Sequence, residues 1–526
     1  MNHSFRLAFM AIAFLSPLAT LAGGDVPEAV TTTLIKTRPE GILHKNFVRQ
    51  AKSFYSTGTE GADIDSVDYY VADYVVSEGG SVYLKNPFTY LTTGTYLKLD
   101  VLNGDTLVAR LPQAIYTDED GNVYYASRLV LKQTEQGQTY TYDKQQDGSF
   151  RTDVKFVMNN GQLTMLGDDG NADGQPKSIL GLVSATGGWG EYGEAAFSVR
   201  PLDATAVTLP GGATKQLCRM RYISIFGEMT EMTELAFVGS DVYMANPFVS
   251  DSVQWIKGTV AGDKVTFASQ YLGVNEQGGY HMFFCPGRFS ENASDGYELA
   301  PELTFSYDRK AGTLTAADPQ TLLINVGDKR LYYAAAYRAP LLTLSGNKVG
   351  KPSNPVISEF KKWGEADYNA GSVEFELPST DANGQDLFKG NLYYRVYTAQ
   401  GKSYAFSPKS YTNFDTERTD IAYGLSDNLD FFMQDDTHKF YFYDKLDSIG
   451  LQSIYKNGAS ELRSDIVWTT GKTTTGISAV KHQDANVVST RYFDLSGRAV
   501  IPSRHGVVVR QRKLSDGSIR NEKIIK

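Results

Sequence analysis

Hydrophobic and polar residues alternate along most of this chain with the two-residue period of a half-buried strand, not the 3.6-residue period of a helix. In Leu97-Lys-Leu-Asp-Val101 the alternation places Leu97, Leu99 and Val101 on one sheet face and turns Lys98 and Asp100 to water. Asn103-Gly104 then supplies the positive-φ residue of a tight hairpin before the next strand, Thr106 to Leu111. The same succession of strand, glycine turn and strand surrounds Ala261-Gly262, Asp120-Gly121-Asn122 and Gln277-Gly278-Gly279. The pattern predicts an all-β fold of antiparallel hairpins.

The pattern also repeats. Gly80-Ser-Val-Tyr-Leu-Lys-Asn-Pro-Phe88 returns as Ser240-Asp-Val-Tyr-Met-Ala-Asn-Pro-Phe248, and three further blocks follow in the same order: Thr95–Asp105 with Gln254–Asp263, Pro112–Tyr116 with Ser269–Gly273, and Val154–Phe156 with Leu303–Phe305. Ordered matches of this kind predict a duplication: two related antiparallel β-meander modules at 55–210 and 214–346. Asn-Pro-Phe reads as a strand-ending turn whose Phe plugs the core, because proline cannot donate within a central strand. Val349-Gly-Lys-Pro-Ser-Asn-Pro355 marks a linker, and a third domain is expected at 352–470. There Leu392-Tyr-Tyr-Arg-Val-Tyr397 with the turn at Gln400-Gly401 resembles the middle strands of a fibronectin type III-like β-sandwich.

Both ends carry targeting patterns. Arg6, the apolar run Leu7–Leu15, Pro17 and the small residues Thr20 and Ala22 predict a signal peptide over 1–22 and hence export. No later run approaches the ~20 apolar residues of a spanning helix, so no transmembrane segment is expected. Over 477–526, Tyr492-Phe-Asp-Leu-Ser-Gly-Arg-Ala-Val500, Gly506-Val-Val-Val509 and Lys523-Ile-Ile-Lys526 resemble the carboxy-terminal sorting domain of type IX secretion cargo from Bacteroidetes. That resemblance implies a small β-domain recognised by the outer-membrane secretion machinery and a secreted or cell-surface location. The repeated Val-Tyr, Trp-Ile-Lys-Gly and Gln-Tyr-Leu-Gly segments are similar to uncharacterised secreted β-rich proteins of the same bacteria, which implies a layout and no activity.

Composition narrows the classes. The chain has 526 residues with 33 Tyr, 27 Phe and 49 Gly, a make-up suited to several sheet domains. A net charge of -9 with no basic field disfavours nucleic acid. Cys218 and Cys285 are the only cysteines, and they read either as one bridge or as two buried thiols.

Candidate chemistry is sparse. Asp169-Gly-Asn-Ala-Asp-Gly174 spaces Asp169, Asn171 and Asp173 as calcium ligands, although Leu180 stands where an EF-hand needs its bidentate glutamate and such runs also form plain polar turns. The histidines share no metal spacing, and no His-Glu-x-x-His or Gly-x-Ser-x-Gly is present. Gly187-Gly-Trp-Gly-Glu-Tyr-Gly193 sets Trp189 and Tyr192 among glycines, either as an aromatic platform for sugar rings or protein side chains or as a hairpin with Trp189 packed inward. Trp255, Trp363 and Trp468 read as core anchors. The resulting expectation is an exported, cell-surface, non-enzymatic protein that binds a glycan or a protein partner. The alternatives are a secreted hydrolase of polysaccharide or protein, which requires carboxylates converging in a cleft, and a structural spacer.

Overall fold

The computed structural model describes residues 26–56, 62–118, 120–134, 137–167, 177–294, 296–346, 348–366, 369–458 and 460–469, and the backbone of three strands within 487–525. Residues 1–22, expected to be a signal peptide, and the stretch with Asp169, Asn171 and Asp173 lie outside the described residues.

The fold is all-β and antiparallel. Its first twelve strands are β1 (Ile42–Ser56), β2 (Ala62–Val76), β3 (Val82–Lys85), β4 (Tyr96–Asn103), β5 (Thr106–Ala109), β6 (Gln113–Thr117), β7 (Val123–Thr134), β8 (Gly137–Tyr142), β9 (Val154–Asn159), β10 (Gln162–Leu166), β11 (Ser178–Ser184) and β12 (Trp189–Arg200). Strands β1 to β5 pair in sequence, β5 then pairs with β9, β9 with β10, β10 with β12, and β12 returns to β1. This circuit closes a barrel, which leaves no sheet edge to aggregate. A flap of β6, β7, β8 and β11 joins the barrel through the first half of β12.

The next twelve strands are β13 (Lys215–Ser224), β14 (Gly227–Val238), β15 (Asp241–Ala245), β16 (Trp255–Ala261), β17 (Lys264–Ala268), β18 (Gln270–Asn275), β19 (Tyr280–Phe289), β20 (Tyr297–Leu299), β21 (Glu302–Asp308), β22 (Thr313–Thr315), β23 (Gln320–Val326) and β24 (Tyr333–Leu344). They repeat the same pairings in the same order, with β17 on β21 and β13 on β24 closing the second ring. Finer details repeat too. Gln113 clamps the backbone N–H and C=O of Lys98, and Gln270 does the same to Lys257. Ala196 of β12 and Ala339 of β24 both adopt positive φ, 48° and 47°, at a bulge facing the ring's first strand.

Three details differ from the sequence reading. The meander holds only for the first five strands of each ring. The first barrel begins at Ile42, ahead of residue 55, with register shifts near His44 and Arg49 that break the two-residue period of β1. Val101 is 44% exposed, because a shift between Val101 and Asn103 and the approaching hairpin turn carry it off the barrel wall. Phe88 of the Asn-Pro-Phe turn is fully buried, and Phe248 packs partly buried against the same core.

Beyond the barrels, β25 (Val356–Lys361), β26 (Gly371–Glu376), β29 (Phe431–Gln434) and β30 (Thr437–Phe442) form one sheet. A second sheet contains β27 (Leu392–Thr398), β28 (Asp420–Ala422), β31 (Ile449–Asn457), β32 (Ser460–Arg463) and β33 (Val467–Trp468). The two face each other across an aromatic core that includes Phe375, Tyr394, Phe406 and Phe440. Trp255 is buried, but Trp363 is 40% exposed and lies under the Lys445 ammonium at 4.8 Å, so it anchors no core. At the end of the chain β34 (Val487–Phe493), β35 (Val507–Leu514) and β36 (Ile519–Ile525) form a three-stranded antiparallel sheet. Among the described residues no helix is long and apolar enough to cross a membrane.

Candidate functional site

The two barrels meet along β2 and β19. Tyr70 pairs with Tyr280, and the Val71 N–H donates to the Gly279 carbonyl at 2.7 Å. Tyrosine rings gather along this seam. Tyr90 lies edge-on to Tyr55 at 5.3 Å and to Tyr70 at 5.7 Å, and Tyr70 is edge-on to Tyr280 at 6.1 Å. Tyr192 of β12 stands directly opposite Tyr55 of β1, the cross-strand position at which side chains touch. Tyr70 and Tyr280 are buried; Tyr55, Tyr90 and Tyr192 are half-buried, and Tyr332 is 37% exposed.

Polar groups accompany the rings. Tyr90 Oη donates to Asp65 Oδ2 at 3.0 Å. Arg330 lies over Tyr332, 5.7 Å from its centroid, and donates to the Ser66 carbonyl at 2.8 Å. Further along, Tyr69 Oη donates to Asp328 Oδ1 at 2.8 Å, and burial pushes its phenol up to about 12. The arrangement offers ring faces, phenolic hydroxyls, a carboxylate and a guanidinium together, which suits stacking against a sugar ring or a peptide side chain.

A buried polar layer holds these rings in place. Arg49, 2% exposed, donates to the Asn86 carbonyl at 2.6 Å, while Glu194, 1% exposed, accepts from Ser53 Oγ at 2.9 Å and from the Thr89 N–H at 2.5 Å. Burial lowers the pKa of Arg49 and raises that of Glu194, and each charge partly offsets the other's cost. The three contacts fix the turn Asn86-Pro-Phe-Thr-Tyr90 against β1 and β12, so Tyr90 is held from below. Tyr55 and Tyr192 lie two residues beyond Ser53 and Glu194 on the same strands, hence on the same face.

The second barrel shows that the fold does not require this layer. By the shared bulge, Arg49 and Glu194 correspond to Met220 and Tyr337, and Tyr192 to Ala335; by the shared Asn-Pro-Phe turn, Tyr90 corresponds to Ser250. Tyr90 and Tyr192, and the Arg49 and Glu194 support beneath them, therefore have no counterpart in the second barrel.

Of the residues singled out in the sequence, Tyr192 lies in this seam. Trp189 begins β12, and its side chain lies outside the described residues. Asp169, Asn171 and Asp173 also fall outside. Tyr55, Tyr70, Tyr90, Tyr280 and Tyr332 were not legible among 33 tyrosines; the available signal was the change of residue type between repeats, Tyr90 against Ser250 and Tyr192 against Ala335. His281 is a core residue, its Nδ1 2.9 Å from Tyr271 Oη and its pKa depressed by burial to about 4. Cys218 and Cys285 are free buried thiols, which settles the choice left open by the sequence. Among the described residues no group of three or more His, Cys, Asp or Glu side chains is placed to hold a metal ion. The depression between the turns at Gly262-Asp263 and Asp308–Lys310 is open, and Asp308 already accepts the amides of Lys310 and Ala311.

No known family model matches the chain, and no curated protein matches it.

Proposed function

We propose that this is an exported, cell-surface, non-enzymatic protein that binds a glycan or a protein partner along the tyrosine seam. The observation that carries the reading is the difference between the barrels: a partly exposed tyrosine rim over a buried Arg49 and Glu194 layer in one, and Ala335, Ser250, Met220 and Tyr337 at the matching positions of the other. Burying Arg49 and Glu194 under a surface is costly, and the second barrel folds with Met220 and Tyr337 at those positions. A polar layer kept at such cost fits a surface whose side chains must be held in one arrangement. Export through the amino-terminal segment and delivery by the outer-membrane machinery through the tail complete the proposal, the first resting on the signal-peptide pattern of residues 1–22 and the second on the resemblance of the tail.

The test is a glycan array and a surface-protein screen with the mature chain, run with and without calcium, alongside Tyr332→Ala and Tyr192→Ala. Saturable binding weakened at least ten-fold by either substitution supports the seam. Binding that survives both substitutions places the site elsewhere, and a chain that binds nothing in either screen returns the weight to a structural spacer.

A further inference from the structure

Residues 30–35, ahead of β1, lie as an extended strap across the first barrel. The Val30 and Thr31 N–H groups donate to the Pro112 carbonyl at 2.8 and 3.4 Å, the Thr31 carbonyl accepts from the Ala114 N–H at 3.1 Å, and the Ile35 carbonyl accepts from the Tyr96 N–H at 3.0 Å. Thr31 and Gln113 thereby form a parallel bridge. The strap spans the gap between β4 and β6, which the Gln113 side chain bridges by clamping Lys98. None of its side chains is fully buried, so the barrel holds the strap by its main chain. Beneath it Gln113 is 4% and Ala114 1% exposed.

The second barrel repeats the gap without the strap. Gln270 clamps Lys257 as Gln113 clamps Lys98, and the registers of β6 on β7 and of β18 on β19 match through a shared bulge. Pro112, Ala114 and Tyr96 therefore correspond to Ser269, Tyr271 and Trp255. Alternate residues of an antiparallel strand bond to opposite sides, so the Ser269 carbonyl and the Tyr271 N–H turn away from β19, and the Trp255 N–H turns away from β15. Among the described residues none of these three groups has a backbone partner there. The segment that precedes β13 does not supply one, since its Val207 and Leu209 pack with Trp255, Tyr243 and Phe388 of the sandwich. Ser269 is exposed and Gln270 and Tyr271 are half-buried, where the matching residues of the first barrel are covered.

We propose that the groove between β16 and β18 of the second barrel is a strand-acceptor site for an extended, uncharged, β-branched peptide segment of a partner protein. An unpaired strand edge is a template for an added strand, and main-chain bonds then supply the affinity. The strap gives the occupant's chemistry: Val30-Thr-Thr-Thr-Leu-Ile35 carries no charge, and every residue but Leu34 is β-branched and so favours extended backbone. The cation beside the groove, Lys257, is already paired with Asp241 at 2.8 Å, in keeping with an uncharged occupant. A second copy of this chain is a poorer occupant, because its own strap is tethered beside the first barrel and would leave the same bonds unmade there. The site uses none of the seam tyrosines, so it stands or falls separately from the seam.

The probe is a synthetic peptide with the sequence of residues 29–36, titrated into the full mature chain, whose first barrel already holds its own strap. Fluorescence anisotropy of the labelled peptide should show saturable binding. With free peptide at about ten times its Kd, hydrogen exchange at the Trp255 and Tyr271 amides should slow roughly ten-fold, while the Ala114 amide stays unchanged. The same peptide N-methylated at the positions of Val30 and Thr31 loses the donors for the Ser269 carbonyl and keeps every side chain, and it should give no protection. Absence of saturable binding, a change confined to Ala114, or equal protection by the methylated peptide overturns the proposal. Protection of Tyr271 that rises with chain concentration alone, together with the mass of a dimer, makes a second copy the occupant and overturns it as well.

Discussion

Removing Glu194 isolates what the buried polar layer contributes. In Glu194→Ala, Ser53 Oγ and the Thr89 N–H lose their acceptor, and the Arg49 guanidinium, 2% exposed, loses the larger of the two negative charges acting on it, Glu194 and Asp73. Breaking a buried charge arrangement by deleting one partner costs about 3–5 kcal/mol, and the local stability of β1 and β12 should fall by that amount. Arg49→Met should cost less, roughly 1–3 kcal/mol, because Glu194 keeps both donors and can take up a proton. The double variant Arg49→Met/Glu194→Tyr installs the residues found at the equivalent positions of the second barrel, Met220 and Tyr337. It should recover to within about 2 kcal/mol of the original chain, giving a coupling energy of roughly 2–6 kcal/mol between the two sites. Native-state hydrogen exchange on β1 and β12 amides is the appropriate assay, since a chain with several cores does not unfold in one step. Losses that simply add in the double variant would refute the claim that Arg49 and Glu194 act as one unit. They would also remove the argument that the layer exists to support the seam.

Other consequences are direct. The thiols of Cys218 and Cys285 are pushed by burial to about 12 and about 11, so iodoacetamide at pH 8 should leave both untouched in the native protein and label both after denaturation; a mass two hydrogens lower would show a bridge instead. His281, fully buried with a pKa near 4, favours its neutral form in the fold. It therefore contributes stability that is present above pH ~6.5 and lost as pH falls through about 4, up to about 3 kcal/mol in all. An imidazole NMR titration that places its pKa at or above 6.5 contradicts this. Gly258→Ala would set a Cβ 2.6 Å from the Phe267 ring and 2.7 Å from the Thr266 carbonyl, so it should cost roughly 1–3 kcal/mol and lower the thermal midpoint.

The sequence by itself determined the local features. Strand after strand was written in two-residue alternation, as in Leu97-Lys-Leu99, and turns in Asn103-Gly104 and Ala261-Gly262, because the pleat and the positive-φ turn residue are properties of neighbouring positions. The Gln-led blocks at 112–116 and 269–273 were visible as a repeat, and each proves to carry the glutamine that clamps the backbone of Lys98 or Lys257. What the tertiary structure decided was non-local. Closure of each ring depends on β5 reaching β9 and, across more than a hundred residues, on β12 reaching β1, which no window of sequence contains. The start of the first barrel was missed for a related reason: bulges in β1 break the period on which strand reading depends. The seam brings Tyr55, Tyr90 and Tyr192 from one barrel to Tyr280 and Tyr332 from the other, and a tyrosine at a strand position looks the same in a sequence whether it fills a core or lines a surface.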